Sequence, residues 1–417
     1  MAKPRPQVLF LAIWTGSFAV YFLAAVSLGI LEAPPETGDA PDYEGIAFNL
    51  WQHWRFGIDW ANPQWRAPYL ASQAWPAYEI NPRVHFRPDI TRPPAFPFLL
   101  ALIYSVAGRH FIVWRIVNCG IMAGAVTIAA AVSFQSAGVL AAMLTMTIAA
   151  LHPLFSFYSY TFMTEPLASL LVSLLAWIYL RNANTWTSSA LARLGIVLAL
   201  LVATRNIFII WLPLALLPLK SWRSKVICLC WFLLVIGPWF IRNIVVTGEL
   251  MPLGIQGMME SPKGFGPGAI AAQGLWTRNH VDPPIDGQNA VNFQVQLAKV
   301  RSVQTFQWAR QHPFGVLYLM ALHIWQEIRP HGAYFIPDWL FIAGLVAGIY
   351  FYFIGRPGTE IVTLIITMNL LSIALTWSAN GRFMIPIHPL IVGLVSAGIV
   401  DVCNVTVARS RARVRQG

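Results

Sequence analysis

Charge is scarce in this chain. Only 11% of its residues are Asp, Glu, Lys or Arg, against about 25% in soluble globular domains. That leaves too little polar side chain to cover a water-soluble globule of 417 residues. Cysteine is scarce too, and four residues exclude a disulfide scaffold for a chain of this length. There is no internal repeat and no low-complexity segment. No Walker-type phosphate loop occurs, which argues against ATP-driven transport by this chain alone. Gly264-Phe265-Gly266-Pro267-Gly268 follows no strand and reads as a flexible loop. The weak alternating segments of a β-barrel are also missing.

What the chain has is long apolar runs, with 57% of its residues hydrophobic and 13% aromatic. A spanning helix needs about 20 apolar residues. The run 7–30 qualifies as an uncleaved signal anchor. Further spans are expected near 110–133, 136–152, 166–181, 189–204, 206–219, 223–243, 335–354, 359–377 and 383–403. The expected fold is an all-α integral membrane protein with about ten transmembrane helices. Two large polar loops, 31–109 and 245–334, carry interfacial helices at 95–108 and 313–329. The whole of 1–417 reads as one polytopic unit.

The net charge of +11 is best explained by topology, because cytoplasmic loops carry excess Lys and Arg. Lys3 and Arg5, the group Lys220, Arg223 and Lys225, Arg356, and the tail of Arg409, Arg411, Arg413 and Arg415 are all placed inside. Both termini are then cytoplasmic and both large loops face the periplasm. Counting 95–108 as a span would invert this and put the basic clusters outside. Nothing supports nucleic-acid binding. All four cysteines fall in expected spans, and the Cys228-x-Cys230 spacing points two thiols roughly 200° apart on a helix. That suits packing better than metal or redox use.

The polar chemistry gathers at one membrane surface. Asp39, Asp42 and Glu44 open an amphipathic helix that begins at Tyr43. His85, Arg87 and Arg92 precede the short apolar helix. Glu165 sits beside a span, where a carboxylate is costly. Arg205, Arg242 and Arg382 fall at boundaries on the same side. Each has a bland reading. The acidic turn could cap a helix N-terminus, Glu165 could cap the span beginning at Pro166, and single arginines often anchor interfaces. Their common level suggests a site instead. The arginines could grip a phosphate in bidentate fashion. The carboxylates could act as a general base or hold a divalent metal ion.

At these residues the chain resembles polytopic glycosyltransferases of the GT-C superfamily. It is most similar to the bacterial protein O-mannosyltransferase-like and lipid A aminoarabinose transferase-like enzymes. Five segments carry the resemblance: Gly38 to Leu50, Arg92 to Pro97, Thr164 to Leu167, Pro238 to Asn243, and Arg382 to Pro386. The chain departs from the family at Ala40, where many members have a second carboxylate directly after the first. The resemblance implies a bacterial inner-membrane enzyme with a periplasmic active site. Its donor would be a polyprenyl-phosphate-linked sugar. Its acceptor would be lipid A or another glycan or lipid, or a protein, set among membrane lipids. Transfer would invert the anomeric centre. Asp39 is implied as the catalytic base, with Asp42 as its partner, and the charge of Arg92, Arg205, Arg242 and Arg382 at the same level makes them the expected donor-phosphate ligands. Asp39, Asp42 and Glu165 are candidate ligands of a divalent metal ion, and Tyr43, His85 and Arg87 are further site candidates. The loop from 245 is expected to act as a pliable lid. A lipid-linked glycan flippase without chemistry and a glycan polymerase or ligase are the competing readings. A flippase would place more of its polar groups mid-span, among broken helices.

Overall fold

The computed structural model of the chain describes residues 6–36, 38–73, 83, 85–277, 290–329, 335–355 and 359–414. Lys3, Arg5, Arg356 and the side chains of Arg409, Arg411, Arg413 and Arg415 lie outside the described residues. The chain is built from helices. In order they are α1 (Pro6–Ser27), α2 (Ala40–His53), α3 (Pro63–Ala71), α4 (Ala95–Ala107), α5 (Phe111–Ala137), α6 (Val139–Leu151), α7 (Pro153–Tyr160), α8 (Glu165–Asn182) and α9 (Ser188–Thr204). There follow α10 (Trp211–Ala215), α11 (Trp222–Thr247), α12 (Gln256–Gly264), α13 (Pro267–Ala271), α14 (Ala290–Gln311), α15 (Pro313–Ile328), α16 (Phe335–Phe353), α17 (Thr359–Ala374) and α18 (His388–Val414). Among the described residues the one sheet is a two-stranded ribbon, in which Gly57–Ile58 pairs antiparallel with Arg87–Pro88.

The apolar runs become helices close to where their periodicity puts them. Among the described residues four are long and apolar enough to cross a membrane: Pro6–Ser27, Phe111–Ala137, Trp222–Thr247 and Arg382–Ala408. The chain is an integral membrane protein, and the larger count of about ten depends on shorter apolar helices such as Ser188–Thr204 and Glu360–Ala374. The expected span at 136–152 is α6, which bends by 67° into α7. His152 sits at the break in an extended conformation, as a residue before proline must. The expected span at 206–219 is not one long helix. Arg205 is extended at the end of α9, and a 3-10 turn over Asn206–Ile210 leads into the short α10.

Helix α5 lies at the centre and packs against α1, α6, α8 and α18. In lipid, helices associate through close packing of small residues. Gly195 shows this between α9 and α11. A methyl group there would collide with the Cys228 carbonyl and stand 2.9 Å from Trp231 Cβ. The Cys-x-Cys spacing behaves as its geometry requires, with Cys228 buried and Cys230 exposed.

The second large loop is more ordered than its composition implies. It contains α12, α13, α14 and α15. Gly264, read as a source of pliability, is instead a contact point, because a Cβ there would overlap the Thr376 carbonyl. The flexible-loop expectation for Gly264–Gly268 gives way to two short helices joined at Phe265 and Gly266.

Candidate active site at the head of the helices

Asp39 stands at the N-cap of α2 yet makes no side-chain capping bond. Gly38 before it has φ +56, a left-handed turn that favours glycine, and Asp39 itself is helical at φ -83 and ψ -2 where a capping residue is normally extended. Its carboxylate meets two guanidiniums. Arg92 Nη2 lies 2.9 Å from Oδ1, and Arg382 Nη1 lies 3.3 Å from Oδ2. Arg92 Nη2 also bonds Asp42 Oδ2 at 2.6 Å. Glu165 opens α8 without acting as a cap. Its Oε1 accepts from Arg205 Nη1 at 3.3 Å and from Arg382 Nε. Three carboxylates and three arginines from five separate segments thus form one continuous network. The capping and interface-anchor readings of these residues do not describe it.

Each arginine is held by its own local structure. Asp89 accepts the Thr91 and Arg92 backbone N–H groups at 3.0 and 2.6 Å, and the Thr91 hydroxyl at 3.0 Å. That turn aims Arg92 back over the Tyr43 ring. Arg205 lies over Phe383, 4.9 Å from the ring centre. Arg382 follows Asn380 and Gly381, both at positive φ, in a turn clamped by Glu327. This buried carboxylate accepts the Ser378 hydroxyl at 2.8 Å, the Phe383 N–H at 3.0 Å and the Ala379 N–H. Burial raises the Glu327 pKa, opposed by those donors.

The electrostatics separate the two aspartates. Burial alone would lift the Asp39 pKa, but Arg92 and Arg382 outweigh it and hold the carboxyl well below the usual range. Asp42 is raised, mainly by burial, because Arg92 offsets only part of that cost. Burial pushes the Tyr43 phenol up to about 12. Asp42 Oδ1 and Glu165 Oε2 are buried without a hydrogen-bond partner. Leaving such acceptors bare costs about 1–3 kcal/mol each, and native proteins tolerate that chiefly where function requires it.

The network forms one wall of a cavity of about 1440 Å³. Asp39, Asp42, Tyr43, Arg92, Arg205 and Arg382 all line it. Another wall is apolar, with Ile207, Ile210, Leu250 and Leu253. The α12–α14 side adds Glu260, Lys263, Trp276 and Arg301. There Lys263 Nζ lies 2.9 Å from Glu260, and the Trp276 indole N–H donates to Glu260 at 2.6 Å.

Three expectations need correction. Arg242 does not line the cavity. Its fork donates to the carbonyls of Asp89 at 2.6 Å and Phe56 at 3.1 Å, so it braces the turn that carries Arg92. His85 is exposed and Arg87 sits against Trp60 in the ribbon, and neither reaches the cavity. Asp39, Asp42 and Glu165 also do not fit a metal. Among the described residues no three His, Cys, Asp or Glu side chains group closely enough to hold one, because Arg92 and Arg382 stand between these carboxylates.

The sequence reading missed Glu327, and it grouped Glu44 with the acidic motif without foreseeing its separate, buried partners. Glu44 lies on the other face of α2 from Asp42, as their separation by two helical positions requires. It is fully buried and bonds Arg109 twice, at 2.8 and 2.9 Å, as well as Trp65 at 2.5 Å, Tyr69 and Tyr104. For Glu327 the available signal was a carboxylate at the end of the apolar helix α15.

No family model matches the chain, and no curated protein matches it. Solved structures do. The chain is similar to the crystal structure of ArnT from Cupriavidus metallidurans in the apo state, with a TM-score of 0.51 and 13% identity, over 94% of this chain and 59% of that one. ArnT from the same organism bound to undecaprenyl phosphate gives a TM-score of 0.44 at 13% identity, over 94% of this chain and 77% of that one. The chain therefore spans a little over half the length of the apo ArnT chain. The shared feature is the fold, that of a polytopic helical membrane protein like ArnT.

Proposed function

We propose that the chain is a membrane glycosyltransferase that takes its sugar from a polyprenyl-phosphate donor. One observation carries this reading: Asp39, Asp42, Arg92, Arg205 and Arg382 face one cavity that also has an apolar wall, and Glu165, buried behind them, ties Arg205 and Arg382 into the same network. A lipid-linked phosphate needs both kinds of wall. The apolar side receives the first isoprene units, and the cationic side receives the phosphate.

The chemistry follows from where charge moves. The bond between the anomeric carbon and the phosphate oxygen breaks, and the electron pair leaves with the phosphate. Arg92, Arg205 and Arg382 are already fixed by carboxylates and turns, so they meet the growing charge without reorganising. An acceptor hydroxyl or amine forms the new bond from the opposite face, which inverts the centre. Its proton passes to Asp39, the more exposed of the two aspartates at 31% against 15%. Its arginine partners keep Asp39 ionised and ready. The α12–α14 wall, with Lys263, Arg301 and Trp276, suits an acceptor that carries both charge and apolar surface. Periplasmic orientation follows from the positive-inside rule.

The test is turnover by the purified protein in detergent, supplied with polyprenyl-phosphate-linked sugars and a total envelope extract. Release of polyprenyl phosphate by the wild type and not by Asp39→Asn is expected. Equal release, or none from either, overturns the proposal.

A further inference from the structure

A second pocket lies far from the network, at the other end of the same helices. It has a volume of about 280 Å³ and is lined by Trp177, Ile178, Arg181, Asn182 and Arg193. Helix α8 carries Glu165 at its first residue and Arg181 in its last turn. At 1.5 Å per residue this separates Arg181 from the catalytic network by roughly 24 Å, close to the thickness of a bilayer's hydrocarbon core. The pocket therefore opens at the opposite membrane surface.

Its charge is uncompensated. The Arg181 guanidinium lies 4.5 Å from the Trp177 ring centre. Arg193 spends only its Nε, on the Ser189 carbonyl at 3.2 Å. Both arginines are exposed, and among the described residues neither has a carboxylate partner. The sequence explains why, because no Asp or Glu occurs between Glu165 and Glu249. The close packing of Gly195 against Cys228 sets the start of α9 beside the start of α11, which brings Arg223 and Lys225 to the same end.

We propose that this pocket binds the phosphate of an anionic phospholipid headgroup. Two guanidinium forks match phosphate oxygens, Trp177 offers an amphipathic surface at headgroup depth, and basic pockets between helices on the cytoplasmic side suit such lipids. Trp222, at the start of α11 and exposed, adds apolar surface at that end. A soluble phosphate would use the same forks without needing the membrane.

Native mass spectrometry of the full-length protein, purified in detergent, tests this. The probes are phosphatidylglycerol, phosphatidylcholine and inorganic phosphate. Retention of phosphatidylglycerol over phosphatidylcholine is expected. Arg193→Gln should weaken it about fivefold and the Arg181→Gln/Arg193→Gln pair about 25-fold, from ~1 kcal/mol per arginine. An Arg181→Lys/Arg193→Lys variant keeps the charge and serves as a folding control, with an intermediate loss. Equal retention of both lipids, or no change in any variant, overturns the proposal. Displacement of phosphatidylglycerol by millimolar inorganic phosphate reassigns the pocket to a soluble anion and also overturns it.

Discussion

Asp39 and Arg382 are 343 positions apart in the chain and meet at 3.3 Å. The contact joins the first and last parts of the helical bundle at one point. It also sets the protonation state of Asp39, because Arg382 is one of two cations that depress its pKa. A carboxylate with a depressed pKa loses its charge only as the pH falls below its ordinary value of about 3.9. Transfer should therefore show no acid limb from Asp39 between pH 5 and 8. Arg382→Gln removes a positive neighbour, so the Asp39 pKa rises. The acid limb should then move upward towards the ordinary carboxylate range, as read from kcat/KM against pH. An unchanged limb in Arg382→Gln would break the link.

Asp39→Asn keeps the shape and removes the base. Loss of a positioned general base costs typically 10²–10⁴ in rate, and a fall of that order is expected with little change in thermal stability. Asp42→Asn should cost less, because Asp42 is the more buried and touches one arginine. The two variants assayed side by side separate base from support.

Glu327 acts on Arg382 at one remove. Glu327→Ala strips the acceptor from the half-buried N–H groups of Ala379 and Phe383, a penalty of up to about 1–3 kcal/mol per group. The Arg382 turn should loosen. The Glu327→Ala/Arg382→Gln double variant should be scarcely worse in turnover than Arg382→Gln alone, because both act through one guanidinium. Additive losses would show that Glu327 serves something else.

Glu44 and Arg109 predict stability rather than chemistry. Removing one partner of a buried pair costs about 3–5 kcal/mol. Arg109→Ala leaves Glu44 buried with three neutral donors and should lower the unfolding temperature in detergent sharply. The protein that remains folded should retain its turnover number. Loss of turnover in the folded fraction would move this pair into the active site.

The helices were legible because their apolar runs are long. Helix α5 and helix α11 lie within a few residues of the expected spans. The acidic motif and Glu165 were legible because carboxylates beside apolar runs are costly and few. Partnership was not legible. Nothing in the spacing of Arg92, Arg205, Arg242 and Arg382 says that three reach the cavity while Arg242 donates to carbonyls instead. That choice depends on the Asp89 turn and the Gly57 ribbon, which form only when distant segments pack. The second loop was misread for a related reason. A glycine needed for close approach, such as Gly264, has the same signature in sequence as one needed for flexibility. The 206–219 run looked spanning because it is apolar, yet the extended Arg205 ends one helix and Pro213 falls in the short α10 that follows.

The most direct measurement compares envelope glycans, lipid A species and glycoproteins by mass spectrometry. The host lacks its own copy and carries either the wild-type chain or Asp39→Asn at equal membrane abundance. Loss of a single sugar from one species in the mutant is the expected result, and it would name sugar and acceptor together. A mutant envelope identical to wild type, alongside a changed envelope in the full deletion, would contradict a catalytic Asp39 and favour transport without chemistry.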